Sequence, residues 1–313
     1  MREPDPFALG RAEVRGAFDR AGASYEAAAV LQASVGEELL SRLEPFEFTP
    51  RVVLDLGAGT GRLSAQLRRR YRRARVIALD LAPGMLRQAR RHQGWLSRFD
   101  RLCADAAHLP LQPASVDVVF SNLMLQWCEP PDDALREARR VLRPGGFFAF
   151  STFGPDTLCE LREAWDEDGR THVNRFLDMH DVGDALMRSG FTEPVLDVER
   201  MTVTYADVLT LMRELHSIGA RNVTAGRARS LTGKGRLRRM MQRYEAHRRE
   251  GRLPATYEVI YAAAWANRDR EARPDSRSGP GHAPPGRAGG PTAHPATSES
   301  RISPDQIGHR RRP

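Results

Sequence analysis

Four short apolar runs mark the first half of the chain: RVVLDL (51–56), RVIALD (75–80), VDVVFSN (116–122) and GFFAFSTF (146–153). Each is rich in β-branched or aromatic residues and bounded by Gly, Pro or Asp, which predicts strands. Helical patterning covers 61–72, 83–93 and 131–141, with Pro83 and Pro131 where helices start and Pro144-Gly145-Gly146 where one stops. Near-continuous apolar strands alternating with helices predict an α/β fold, a doubly wound parallel sheet covered on both faces. Three regions surround that core. Residues 11–43 read as N-terminal helix, with Tyr25, Val30, Leu31, Val35, Leu39 and Leu40 as its apolar set. Residues 155–190 and 206–250 read as helical insertions. The second insertion lies between strand candidates 195–205 and 256–266, the latter expected to return antiparallel at the sheet edge.

The pattern fails after Asn267. Residues 268–313 are rich in Pro, Gly, Ser and Ala and nearly free of large apolar side chains. Such a segment cannot bury enough surface to offset its ordering entropy, so it is expected to be a disordered tail. Residues 1–267 are then one domain, with a core at about 48–153.

Composition is that of a globular chain, 41% hydrophobic and 28% charged over 313 residues. The N-terminus carries no apolar signal core, and no apolar stretch is long enough to span a membrane, which makes the cytoplasm the expected location. Cys103, Cys128 and Cys159 are too few and too scattered for a disulfide framework or zinc site, and are expected to be reduced and mostly buried. The net charge of +8 and pI near 10.1 invite a nucleic-acid partner. Half of that charge, however, sits in the tail, with nine Arg against five acids from Arg268 onward. Lys234 is the only lysine, so the Arg content reads as compositional bias rather than a basic patch.

The chemistry concentrates at VVLDLGAGTGR (52–62). A strand carrying Asp55 runs into a turn with Gly57, Gly59 and Gly61, and then into a helix. Glycines there admit backbone conformations closed to other residues and let a ligand approach closely. The GxGxG spacing differs from the GxGxxG of a dinucleotide site. RVIALD ends in Asp80, about twenty residues on, where an acid at a strand tip can hold both hydroxyls of a ribose. Asp105 is placed to accept from an adenine amine and Ala106 to lie against the ring. Asn122, at the end of VDVVFSN (116–122), would line the methionine end. Each feature alone has a bland alternative, such as a structural glycine turn or a solvated strand-end acid; their order along the chain argues for a site.

These residues, over about 48–153, resemble the class I S-adenosylmethionine-dependent methyltransferases. That resemblance implies S-adenosyl-L-methionine as cofactor and a Rossmann-like, mostly parallel seven-stranded sheet with helical lid insertions. A closer likeness runs through FDRAGASYEAAAVLQ (18–32), SNLMLQW (121–127), STFGPDTLCELREAW (151–165), HVNRF (172–176), IGARN…AGR (218–227) and LPATYEVIY (253–261). These are similar to the malonyl-[acyl-carrier protein] O-methyltransferases of biotin synthesis. The likeness implies methylation of the free carboxylate of a malonyl thioester, and an acidic acyl-carrier protein as partner.

On that reading Tyr25 closes the cofactor from the N-terminal side and Trp127 walls the acceptor pocket. Arg175, between Asn174 and Phe176, offers a bidentate grip on a carboxylate; a surface Arg stacked on Phe176 is the alternative. His172, His180 and His216 fit no metal spacing. Three other readings compete. FGPDTLCELR and LPATYEVIY are equally similar to a respiratory complex I assembly factor that hydroxylates arginine. A small-molecule methyltransferase keeps the fold and changes the acceptor. A nucleic-acid-binding protein would explain the pI but leaves the glycine motif unused and lacks aromatics interleaved with basic residues.

Overall fold

Successive side chains of a strand point to opposite faces, and the apolar runs divide accordingly. The computed structural model describes residues 9–47, 49–94, 98–165, 173–220, 233–267 and 298–302. Its strands are β1 (Val52–Leu56), β2 (Arg75–Asp80), β3 (Asp100–Cys103), β4 (Val116–Asn122), β5 (Leu142–Phe153), β6 (Phe191–Tyr205), β7 (Leu253–Ala266) and β8 (Ser298–Ile302). Its helices are α1 (Arg11–Ala21), α2 (Tyr25–Ala28), α3 (Val30–Ser41), α4 (Arg62–Arg70), α5 (Pro83–Gln88), α6 (Pro131–Val141), α7 (Cys159–Trp165), α8 (Met179–Arg188), α9 (Val208–Ser217) and α10 (Lys234–Glu245). Val53, Val76, Val118, Phe120 and Phe147 turn to one face and pack under α3 and α4. Leu54, Ile77, Val119, Phe148 and Phe150 turn to the other, under α6 and α8. Phe148 sits between the rings of Phe150 and Phe191, at 4.8 and 5.4 Å.

The strand order is β3-β2-β1-β4-β5-β7-β6-β8. Neighbours pair in parallel except around β7, which is antiparallel to both β5 and β6. Two expectations are corrected here. β7 does return antiparallel, but in the interior of the sheet, because it pairs with β5 over Phe147–Phe153 on one side and with β6 on the other. Cys103 is exposed rather than buried, lying near the end of β3, the strand at the sheet's open edge; all three cysteines are free. β8 joins the outer edge of β6 in parallel and comes from the stretch expected to be a tail; the rest of that stretch lies outside the described residues.

The insertions are less uniform than their patterning. Of residues 155–190, α7 packs on α10, whereas α8 packs on α6 and β6 and is a crossover helix of the core. Residues 206–250 contain α9 and α10; 221–232, with Arg227 and Arg229, are outside the described residues. Among the described residues no helix is long and apolar enough to cross a membrane.

Candidate active site

β1 feeds the glycine turn, whose three glycines all have positive φ, at +80°, +54° and +77° for Gly57, Gly59 and Gly61. Their surroundings separate their duties. A Cβ on Gly57 would meet the Met124 side chain at 2.3 Å, and one on Gly61 would meet Ala89 at 2.8 Å and Phe99 at 3.0 Å. Those two let neighbouring elements close-pack. A Cβ on Gly59 would meet nothing within 4 Å, and Gly59 lines the cleft beyond.

The turn is stitched to the end of β2. The N–H groups of Gly57 and Ala58 donate to the Leu79 carbonyl at 2.8 and 2.9 Å, and that of Gly59 donates to Asp80 Oδ2 at 2.8 Å. Asp80 Oδ1 accepts from Ala82 N at 2.8 Å. A carboxylate has about four lone-pair sites, so both oxygens keep capacity toward the cleft. Burial pushes this carboxyl above the ordinary Asp range, while N–H groups of Ala82, Gly59 and Leu81 oppose the shift. Asp55 is 1% exposed and accepts from the Ser64 hydroxyl of α4. Burial, with Asp80 nearby, raises it to about 7.

The cleft spans about 920 Å³, including its solvent-open mouth. Tyr25, Gly57, Gly59, Asp80, Asp105, Ala106, Asn122 and Trp127 all line it; Gly61 does not. Asp55 lines an adjoining recess of about 520 Å³, shared with Glu26, Arg62 and Asn122. Asp105 already carries two donors, Ala107 N at 2.9 Å and Arg11 at 3.1 Å. Asn122 is held between Gln32, whose carbonyl it donates to at 3.0 Å, and Ser151, which donates to it at 2.8 Å. The set suits an adenosyl amino acid: an acid for a diol, a bare glycine under the bound chain, an apolar wall of Leu79, Met85 and Ala106, and a recess with both signs of charge for a zwitterion.

A second chamber, about 760 Å³, shares Phe18, Tyr25, Leu123 and Trp127 with the cleft. Trp127 packs edge-on against Phe18 at 5.1 Å. Burial and the Asp80 carboxylate push the Tyr25 phenol up, so it stays protonated and able to donate. The chamber is mostly apolar, with three amides on its wall. Gln126 is fixed by donating to the Leu123 carbonyl at 2.7 Å. Asn174 is 8% exposed, and neither its Oδ1 nor Gln32 Oε1 has a partner among the described residues. Buried amides without partners are costly, by about 1–3 kcal/mol each, and a ligand that bonds to them removes that cost.

Asn174 and Phe176 therefore lie with Tyr25 and Trp127, but Arg175 does not. It is exposed and lines a third chamber behind Gln126, Asn174 and Phe176. His172 lies outside the described residues, and among those described no His, Cys, Asp and Glu cluster is arranged for a metal. Sequence reasoning did not single out Phe18, Gln32, Leu123 and Gln126. All four were nevertheless in view: Phe18 and Gln32 are the first and last residues of the 18–32 stretch, and the other two belong to SNLMLQW.

The methyltransferase domain family matches residues 54–150. By fold, the chain is similar to the YcgJ protein of Bacillus subtilis, at TM-score 0.54 and 14% identity over 74% of this chain and 98% of that one. A methyltransferase structure from Bacillus halodurans C-125 gives 0.53 and 15%, over 75% and 99%. By sequence the likeness is far closer. The malonyl-[acyl-carrier protein] O-methyltransferase of Methylovorus sp. (strain MP688) is 51% identical over 282 residues, 88% of this chain and 95% of the relative. That of Laribacter hongkongensis (strain HLHK9) is 49% identical over 284 residues, 87% and 96%. Identity at this level across almost the full length of both relatives means that the chain belongs to the malonyl-[acyl-carrier protein] O-methyltransferase family.

Proposed function

We propose that the chain transfers a methyl group from S-adenosyl-L-methionine to the free carboxylate of a malonyl thioester borne on acyl-carrier protein. The observation that carries this reading is the pair of chambers meeting at Phe18, Tyr25, Leu123 and Trp127. One has the fittings for an adenosyl amino acid; the other is an apolar, amide-bearing space for a short acyl group. Asp80 would hold the ribose, Asp105 and Ala106 the adenine, and Gly57, Gly59, Asp55 and Asn122 the methionine end, with Gly61 shaping the turn. The sulfonium methyl is the group transferred.

The acceptor sets what the protein has to do. A malonyl carboxyl has a pKa near 4 and is already ionised at neutral pH, so no general base is required. Tyr25, kept protonated by its surroundings, donates a hydrogen bond that orients one carboxylate oxygen. The amides of Gln126 and Asn174 fix the acyl chain, Trp127 and Phe176 exclude water, and the other carboxylate oxygen is left in line with the methyl. Such alignment lowers barriers by roughly 7–11 kcal/mol in favourable cases. Esterification removes the charge, so that fatty-acid synthesis enzymes elongate the disguised chain toward a pimeloyl thioester for biotin. The complex I assembly reading is not favoured, since the curated relatives at 45–51% identity share the carboxyl methyltransferase name. The test is methyl transfer from labelled S-adenosylmethionine to malonyl-carrier protein. Turnover is expected there and none with acetyl-carrier protein; equal labelling of both, or of neither, overturns the reading.

A further inference from the structure

The third chamber, a cleft open to solvent that spans about 1130 Å³, shares Gln126, Asn174 and Phe176 with the acceptor chamber. Its walls are largely apolar, with Phe150, Val182 and Ala185 among them, and its two charged lining residues are Glu129 and Arg175. Glu129 is also part of the cofactor cleft, where it accepts from Leu9 N at 2.8 Å. Arg175 is exposed, two residues from Leu177, which is 38% exposed. This arrangement limits where a negative charge can rest. A carboxylate inside the third chamber would lose its water and face Glu129. An anion at the solvent-exposed Arg175 keeps its hydration and gains a charge-assisted pair.

A carrier-bound malonyl thioester is anionic at both ends and neutral between. Its carboxylate must lie at the Tyr25–Trp127 wall to meet the methyl group. At the far end of the amide-containing arm is a phosphate ester. We propose that Arg175 anchors this phosphate at the chamber's rim, with the neutral arm crossing the apolar interior, so that the arginine positions the acceptor by its outer end rather than by its carboxylate. The proposal rests on the acceptor assigned above.

Malonyl-pantetheine and malonyl-phosphopantetheine differ only in that phosphate and separate the two roles. With wild-type protein both are expected to be methylated, the phosphorylated compound at lower KM. Arg175→Ala is expected to raise KM for malonyl-phosphopantetheine and malonyl-carrier protein roughly tenfold, the loss of one charge-assisted contact. Its kcat, its S-adenosylmethionine affinity and its KM for malonyl-pantetheine should stay within about twofold, and Arg175→Lys should recover most of the loss. An equal loss on both compounds would assign Arg175 to the carboxylate and overturn the proposal, as would no loss on either. Failure of the wild-type protein to methylate any malonyl thioester would remove the acceptor assignment and this inference with it, and is recognised without any variant.

Discussion

At the scale of single residues, the three glycines of the turn are alike in sequence and unlike in what surrounds them. Gly59→Arg is expected to abolish S-adenosylmethionine binding, because the side chain enters the open cleft, and to lower the melting temperature as well, because a φ of +54° strains any side chain. Calorimetry and a melting curve on the same sample check both halves. Asp80→Ala should cost about 1–3 kcal/mol of cofactor affinity. The carboxylate must be ionised to accept two hydroxyls, and its pKa is raised. Affinity should therefore fall on acidification from a higher pH than an ordinary Asp, near 3.9, would give; Asp80→Asn should flatten that limb. Asp55 makes the opposite kind of statement. With its pKa moved from 3.8 to about 7, the folded chain holds a proton that the unfolded chain has released, and stability falls as pH rises across that window. Asp55→Asn keeps the Ser64 partner and should remove the slope in a series of melting temperatures against pH. The acids and glycines of the cofactor cleft were readable because such side chains at strand ends are rarely neutral choices. Which glycine has open space around it was not, since that depends on Met124, Ala89 and Phe99, which are distant in sequence.

Among elements, the contact that seats the N-terminal helices beside the cleft is α1 against α5. Gly22 and Gly84 meet there: a Cβ on Gly84 would fall 2.4 Å from the Asp19 carbonyl, and one on Gly22 would fall 3.0 Å from Gly84. The Asp19 carboxylate accepts from Gly84 N at the start of α5. Further along, Arg11 pairs with Asp105, and the Ser24 hydroxyl donates to the Ser217 carbonyl at 3.2 Å. α1 and α2 are thus fastened over the cleft by a glycine seam and a few polar contacts, with Tyr25 carried at the end. Gly84→Val should lift them. The expected result is at least tenfold weaker S-adenosylmethionine binding, about 1.4 kcal/mol, with faster proteolysis near 10–30 and little change in the sheet's melting. Unchanged affinity would mean that the seam is not what seats the lid. The helical character of 11–43 was plain from Leu31, Val35 and Leu39; the seam was not, because a glycine pair sixty residues apart has no periodicity to betray it. Likewise 155–190 read as one insertion, although Val182, Ala185 and Leu186 belong to the sheet's covering.

Over the whole molecule, the cofactor and acceptor chambers draw on the N-terminal helices, β1, β2, β4 and the segments after β5, while α10 lies against α7 with an exposed, Arg-rich side. An acidic carrier would be steered by such a face, raising its on-rate more than its final affinity. Arg238→Glu with Arg239→Glu should lower kcat/KM for malonyl-carrier protein and flatten its salt dependence, leaving malonyl-coenzyme A turnover unaffected. Equal losses on both would assign α10 to structure instead. Ending the chain after Asn267 should leave activity within about twofold, since β8 touches β6 at the edge far from the cleft; a larger fall would show that the segment matters. The alternating pattern exposed the strands and their parallel winding, but not their order, because β5 and β7 are joined through side-by-side pairing across more than a hundred residues. That order governs how the protein can be made. β5 and β6 are not paired with each other; each reaches the other only through β7, the fourteen residues Leu253–Ala266. A nascent chain leaving the ribosome therefore waits with the β7-facing edges of both β5 and β6 unpaired until those residues emerge. A stalled or prematurely ended product is not a shortened enzyme but a sticky, half-built sheet, a substrate for chaperones and proteases.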